Sequence, residues 1–227
     1  MPNVLGRGRR HPTPVKPYLI ARTGTDVRLP LFPLHTVLFP GSTLALHIFE
    51  PRYREMIGRC LEHDETFGIC LILEGEEVGT AAIPHRIGTE ARIIASQRYR
   101  DGRYDIVVEG QRRFEILSLD RARPYLRAEV RFLEEPEGEE DVGLPEAVAR
   151  LFEGVLESLE LSGQAVIDET WKDLDSNSLS YKVASALPAG EDLKQTILEI
   201  PDTTSRLRRL AELLMTLRRV GAAAGAA

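Results

Sequence analysis

The sequence predicts an α+β protein: a small antiparallel β-barrel with one inserted helix, followed by an α-helical lobe. Three observations predict it. Up to about residue 135 apolar residues recur mostly with a period of two between turn signals, and beyond residue 144 they recur with a helical period. Between these regions, residues 134–146 hold seven acids, no base, two prolines and two glycines, the composition of a solvated linker. The expected organisation is a basic, disordered tail over 1–26, a barrel lobe over 27–135, an acidic linker over 136–143, a helical lobe over 144–220 and a frayed Ala/Gly-rich end over 221–227.

Residues 28–34 read as the first strand, at an edge or on a kinked segment because Pro30 and Pro33 cannot donate to a ladder. The apolar run 37–39 reads as strand-like and turns back at Pro40-Gly41, which supply the fixed φ and the positive φ of a type II turn. Leu44, Leu46 and Ile48 then alternate with Thr43, Ala45 and His47, a strand with one buried face. At Pro51 the period changes. Proline suits a first helical position, and Glu50 sets negative charge beside the positive helix end. Tyr53, Met56, Ile57, Cys60 and Leu61 form the inward stripe of a helix lying on the barrel; Arg52, Arg54, Glu55, Arg59 and Glu62 take the other side, with Glu55 and Arg59 spaced as an i,i+4 pair.

Residues 67–73 are apolar enough for a fully buried strand, 74–77 form a polar turn, and 78–83 read as another strand. Asp101-Gly102 between the runs 91–99 and 104–109 marks a hairpin that puts Tyr104, Ile106 and Val108 on one face. Gly110 permits a bend or bulge before a strand over 113–119, and 125–133 supplies the last one. Six or so strands of this kind predict a closed or nearly closed barrel, since closure removes exposed edges. In the second half, Val148, Leu151, Phe152, Val155, Leu156 and Leu159 make one helical stripe after Pro145. A second helix begins near Asn177 as a cap and ends before Pro188, burying Leu179, Val183 and Leu187. A third covers about 192–199. A fourth follows Asp202-Thr203-Thr204 and buries Leu207, Leu210, Ala211, Leu214 and Leu217.

A net charge of −6 argues against a general nucleic-acid binder. Cys60 and Cys70 fall on apolar positions and read as buried free thiols, which suits a reducing cytoplasm. No apolar run has the length of a membrane span, and the N-terminus lacks the apolar middle of a signal peptide. Residues 1–28 carry six bases against one acid; a disordered extension is expected there, with a nucleic-acid or partner-binding arm as the alternative.

The runs Leu29-Pro-Leu-Phe-Pro-Leu34, Val37-Leu-Phe-Pro-Gly41 and Ile48-Phe-Glu-Pro-Arg-Tyr53 resemble the opening of the Lon protease N-terminal domain, particularly its stand-alone bacterial form. Later pieces fall in the same order: Phe67-Gly68, Val78-Gly79-Thr80, Asp101-Gly102, Gly110, Arg113-Phe114 and Pro124-Tyr125-Leu126. Leu187-Pro188, Gln195 and Leu207 extend the likeness into the helices. The resemblance implies a barrel similar to the PUA fold and a substrate-binding module that is not itself the peptidase.

The full Lon enzyme couples an ATPase to a serine-lysine peptidase, and traces of either would be visible as motifs. The sequence contains no G-x-x-x-x-G-K-[ST] loop and no G-x-S-x-G elbow. Ser178 and Lys182 stand four apart where S-x-x-K needs three, so a helix start with a surface lysine is the expected reading. His11, His35, His47, His63 and His85 lack zinc-site spacing, although His35, His47 and His63 could converge with Cys60. Glu50 reads as a helix-start residue rather than an acid catalyst. Residues 86–131 hold eleven arginines against seven acids, with Tyr99, Tyr104, Phe114 and Tyr125 among them, a mixture that can bind RNA by phosphate contacts and stacking.

The expected function is therefore binding without catalysis, with no cofactor and no metal. Unfolded or degradation-tagged polypeptides are the expected clients, with the chain as an adaptor to a Lon-type ATP-dependent protease; RNA binding by the arginine-rich face is the alternative, and a hydrolase would need a nucleophile the sequence does not offer. The client surface is expected near the inserted helix and its junction with the helical lobe, with Phe49, Tyr53, Tyr99 and Phe114 as its wall and Arg52 and Arg113 at its rim.

Overall fold

The computed structural model describes residues 27–77, 79, 82–158 and 173–224. The tail 1–26, Leu159 and the last three residues lie outside them, so the expectations for those positions are not addressed. Seven strands and five helices follow in order: β1 (Val27–Leu34), β2 (Thr43–Ile48), α1 (Pro51–His63), β3 (Phe67–Glu74), β4 (Ile83–Pro84), β5 (Ile87–Arg98), β6 (Tyr104–Asp120), β7 (Arg127–Phe132), α2 (Leu144–Ser158), α3 (Ser176–Ala186), α4 (Glu191–Leu198) and α5 (Thr203–Ala224). The α+β class and the inserted helix match the sequence reading.

The sheet closes on itself through the path β1-β7-β6-β5-β3, which returns to β1. Every pair is antiparallel except β1–β3, which is parallel and makes the closure. This corrects the expected position of the proline-rich first strand. β1 is interior: it pairs with β7 over residues 27–30 and then switches to β3 over residues 31–34. A strand that changes partner halfway needs fewer continuous donors on each side, so two prolines are tolerated without an edge.

The run 37–39 is not a strand but part of a loop, since its side chains are used elsewhere. Phe39 joins the cluster of buried helical residues and lies 6.2 Å, centroid to centroid, from Tyr181, while the Val37 amide donates to Glu191 at 2.7 Å. The Pro40-Gly41 turn forms as expected, with Gly41 at φ +74 and the Ser42 amide bonded to the Phe39 carbonyl at 3.1 Å. It docks on Gly110 through two main-chain bonds of 2.8 and 2.9 Å. Gly110 lies inside one long β6, where two separate strands were expected. The Asp101-Gly102 hairpin also forms, with Gly102 at φ +84 and Tyr104, Ile106 and Val108 buried. Of residues 78–83, expected as a strand, only Ile83 is in one, within the short β4, while Val78, Thr80 and Ala81 lie outside the described residues.

Helix α1 buries Tyr53, Met56, Ile57 and Cys60 against Phe32, Phe67 and Tyr104, but Leu61 is 38% exposed at the far edge of the stripe. The Glu55–Arg59 pair does not form. Arg59 reaches Glu65 at 3.2 Å and Glu55 faces Arg123 at 4.0 Å, because a pair of exposed side chains within the helix is weak and partners beyond the helix compete for both. Helices α2, α3, α4 and α5 gather around Val148, Phe152, Val155, Leu179, Val183, Leu207, Leu210 and Leu214. The cap of α3 is Asp175 rather than Asn177: its carboxylate accepts from the Ser178 amide at 2.8 Å, and Asn177 instead faces Arg206. Helix α5 continues through Gly221 to Ala224, beyond where fraying was expected.

Both cysteines are free and buried at 1% exposure. Burial pushes the Cys60 thiol up to about 12, with Glu65 adding to the shift, and pushes Cys70 up further. A thiol reagent at neutral pH is expected to label neither in the folded protein and both in denaturant. Rapid labelling of one without unfolding would contradict this arrangement.

Candidate functional site

Strand β6 is long enough to carry three neighbours. β5 runs along one side; on the other, β2 pairs with residues 104–109 and β7 with residues 114–120. β7 is covered on its far edge by β1, but no strand covers the far edge of β2 among the described residues. Beside that edge a slot of about 210 Å³ opens, lined by Phe32 and Leu34 of β1, residues 45–50, Tyr53 of α1 and Glu77. Its floor is apolar because Phe32, Leu34, Ile48 and Tyr53 are core residues. Its mouth carries Phe49, half exposed and stacked on the His47 ring at 6.2 Å.

One guanidinium organises the polar side of this slot. Arg52 holds Glu50 at 3.1 Å, donates to the Glu77 carbonyl at 2.9 Å and lies 4.5 Å over the Tyr53 ring. Burial pushes the Tyr53 phenol up to about 12, so its hydroxyl stays neutral there. The Glu77 carboxylate accepts from the His35 amide, and Glu76 lies 3.9 Å from the His35 ring. Farther along the outer face, Asp105 bridges His47 and Tyr99 at 2.5 Å each, and these hydrogen bonds, Tyr99 first, hold its carboxyl below the usual range.

Of the six residues expected to form the client surface, the structure gathers four. Phe49 and Tyr53 line the slot, Arg52 borders it through its bonds to Glu50 and Glu77, and Tyr99 adjoins it through His47, ring to ring at 6.4 Å. Phe114 and Arg113 are elsewhere and have no exposed surface. Phe114 fills the barrel interior, where Gly68 and Gly88 make room: a Cβ on either would stand 2.5 and 2.8 Å from its ring. Arg113 points the other way, into the helices. Its guanidinium chelates Glu135 at 2.7 and 3.0 Å and takes the carbonyls of Leu198, Ile200 and Pro201 at 2.7, 2.7 and 3.2 Å. Those carbonyls belong to the last residue of α4 and to the segment just after it, where helical partners run out and a cation is favoured. Arg206 lies beneath, over the Tyr181 ring at 4.0 Å, and burial lowers its pKa, with the neighbouring Arg113 cation adding to the effect. The expected junction surface is thus a filled polar contact, and a side chain without surface cannot meet a client.

The reading missed Phe32, Leu34, Leu46 and Glu77. Alternation in β2 showed one buried face, but no sequence signal says that one edge of that strand lacks a neighbour.

Other expected chemistry falls as follows. Ser178 donates its hydroxyl to Asp175 at 3.0 Å, and Lys182 is exposed. Cys60 is in the core while His47 and His63 pair with Asp105 and Glu62, and no group of three or more candidate metal ligands gathers among the described residues. In the arginine-rich stretch, Arg86, Arg92, Arg103, Arg112, Arg113, Arg123, Arg127 and Arg131 each face a carboxylate within 4.0 Å. Tyr104, Phe114 and Tyr125 are buried. No helix among the described residues is long and apolar enough to cross a membrane.

Comparison with known proteins gives a consistent family. The model of the ATP-dependent protease La (LON) substrate-binding domain matches residues 28–216. The chain is 26% identical over 210 residues to a Lon protease of Anaeromyxobacter dehalogenans (strain 2CP-C), covering 90% of this chain and 25% of that protein. It is 28% identical over 210 residues to Lon protease 2 of Myxococcus xanthus, with the same coverage. The chain thus spans about a quarter of the length of these curated relatives. Among solved structures, it is similar to a Lon N-terminal domain protein from Xanthomonas campestris (28% identity, TM-score 0.62, 81% of this chain and 96% of that one). It shares its fold with the N-terminal domain of the Mycobacterium avium complex Lon protease (22% identity, TM-score 0.63, 83% and 98%).

Proposed function

Because the chain belongs to the family of ATP-dependent protease La (LON) substrate-binding domains, we propose that it binds unfolded or degradation-tagged polypeptides without cleaving them. The observation that carries this reading is the apolar slot beside β2, floored by Phe32, Leu34, Ile48 and Tyr53 and rimmed by Phe49 and Glu50, which Arg52 holds. Apolar walls with a few fixed polar groups suit a segment that is hidden in folded proteins and exposed in unfolded ones. Tyr99 extends the wall along the outer face; Arg113 and Phe114, having no surface, act only by holding the frame. A cytoplasmic place and an adaptor role beside a Lon-type ATP-dependent protease belong to the same proposal. The adaptor role is tested by whether adding the chain changes the rate at which such a protease degrades a client.

RNA is the less favoured ligand. Most arginines that would meet phosphates already face carboxylates, and three of the four aromatics that would stack, Tyr104, Phe114 and Tyr125, are in the core. Titration of a permanently unfolded, reduced protein and of a single-stranded RNA, each across a salt series, separates the two. Polypeptide binding is expected to hold as salt rises, whereas RNA binding that led and collapsed with salt would overturn the proposal. Phe49→Ala is expected to weaken polypeptide binding roughly tenfold, the loss of one well-buried aromatic anchor, while leaving the melting temperature within about 1 °C because the ring is half exposed in the free protein. Unchanged affinity in this variant would remove the slot from the account.

A further inference from the structure

The slot and the strand edge beside it are adjacent, and together they specify more than an apolar contact. We propose that the client is taken as an added β-strand: an extended segment pairs with the open edge of β2, sends one apolar side chain into the slot, and carries a lysine or arginine beside it. This rests on the polypeptide-binding reading above and names the form and charge of the polypeptide.

Main-chain geometry supplies the first argument. β2 pairs with β6 from Thr43–Glu109 to Ile48–Tyr104, and among the described residues no other main-chain partner is bonded to it. In an antiparallel pair alternate residues turn their N–H and C=O groups away from the partner, so half of β2 presents unpaired donors and acceptors outward. Free edges are ordinarily blunted by lysine, proline or a bulge. Residues 43–48, Thr-Leu-Ala-Leu-His-Ile, have none of these, and their register with β6 runs without a shift.

Size supplies the second. About 210 Å³ accommodates one large side chain, below the range of a small-molecule pocket, roughly 300–1,000 Å³. A helix laid in a groove needs several anchors along its face, whereas an added strand takes its affinity from main-chain bonds and its selectivity from a pocket for one side chain in two.

Charge supplies the third. At this end of the slot Glu50, Glu76 and Glu77 stand against one guanidinium, Arg52, and the His35 imidazole. Glu76 is 83% exposed, so a cationic residue on the client can reach it without displacing Arg52. An acidic residue there would meet a surplus of like charge.

The test uses the full chain and a short fluorescent peptide of alternating valine and leucine with a terminal lysine, followed by anisotropy. Companion peptides replace the lysine by glutamate, or carry N-methyl groups on the odd or on the even residues. The lysine peptide is expected to bind about fivefold more tightly than the glutamate one, and Glu76→Lys to erase that preference without changing the fold. One N-methylated set is expected to lose at least about tenfold and the other to bind like the parent, since only one set faces β2. Equal binding by all the peptides would overturn strand addition and leave polypeptide binding intact. Failure of the parent peptide while an unfolded protein binds would do the same. Failure of both would remove the reading beneath. A dimer in sedimentation whose contact protects residues 43–48 from hydrogen exchange would make a second copy the occupant and overturn the proposal.

Discussion

Arg113→Ala is expected to destabilise the fold by about 3–5 kcal/mol, the usual cost of removing one partner from a buried charged cluster. The side chain has no exposed surface, yet it ties β6 to Glu135 and to the carbonyls of Leu198, Ile200 and Pro201 at and just after the end of α4. Without it those carbonyls lose a shared donor and Glu135 keeps only Arg206 and Tyr181. For a chain of this length the loss amounts to roughly 10 °C in melting temperature. Lysine is expected to recover less than half, because one ammonium cannot reach five acceptor atoms spread across a planar fork. Arg92→Ala, which removes a pair whose Asp64 is 92% exposed, is expected to cost well under ~1 kcal/mol. Thermal melts of the three variants check this; an Arg113→Ala melt within about 2 °C of the parent would show that the contact does not hold barrel and helices together.

Gly110→Ala is expected to cost roughly 3 kcal/mol, at the upper end of an overpacked core. An added Cβ would sit 2.3 Å from the Phe39 carbonyl oxygen, which is backbone and cannot rotate away. That oxygen already accepts from Ser42, and the Phe39 ring is locked among the helices, so relief requires the Pro40-Gly41 turn to leave β6. Gly154→Ala is the counter-experiment with the opposite sign. It lies in α2, with nothing nearer than 3.9 Å to the added atom, and is expected to gain up to about 1 kcal/mol from helix propensity. If both variants shift stability in the same direction, the close approach at Gly110 is not the cause.

These two residues also show where a linear reading works. Gly110 was legible as a bend or bulge, since glycine inside a strand pattern marks an irregular or crowded position, and the β5–β6 register shifts beside it, although its crowding by residue 39 was not legible. Arg113 was misread as a rim residue because alternation assumes that one face of a strand meets solvent. Around it, residues 113–116 of β6 are all buried, with the barrel interior on one face and other side chains covering the opposite one, so the period of two disappears. Phe39 misled for a related reason: an apolar run was read as strand, when its apolarity served contact with the helices. At the candidate site, Phe49, Arg52 and Tyr53 could be grouped from the sequence because they cluster at a helix start, and Glu77 could not, since it arrives from a distant loop.

Sequence alone determined the features that depend on a few neighbouring residues: the turns at Pro40-Gly41 and Asp101-Gly102, the start of α1 at Pro51, the stripes of the helices and the inward faces of β2 and the first half of β6. Backbone sterics and side-chain period act over short stretches, so they are written in the chain. Only the tertiary structure decided that β1 closes the ring in parallel with β3, that Arg113 joins barrel to helices, and that one edge of β2 stays open. Each of these depends on which distant segments come to lie side by side, and the hydrogen-bonding backbone is the same for every residue except proline.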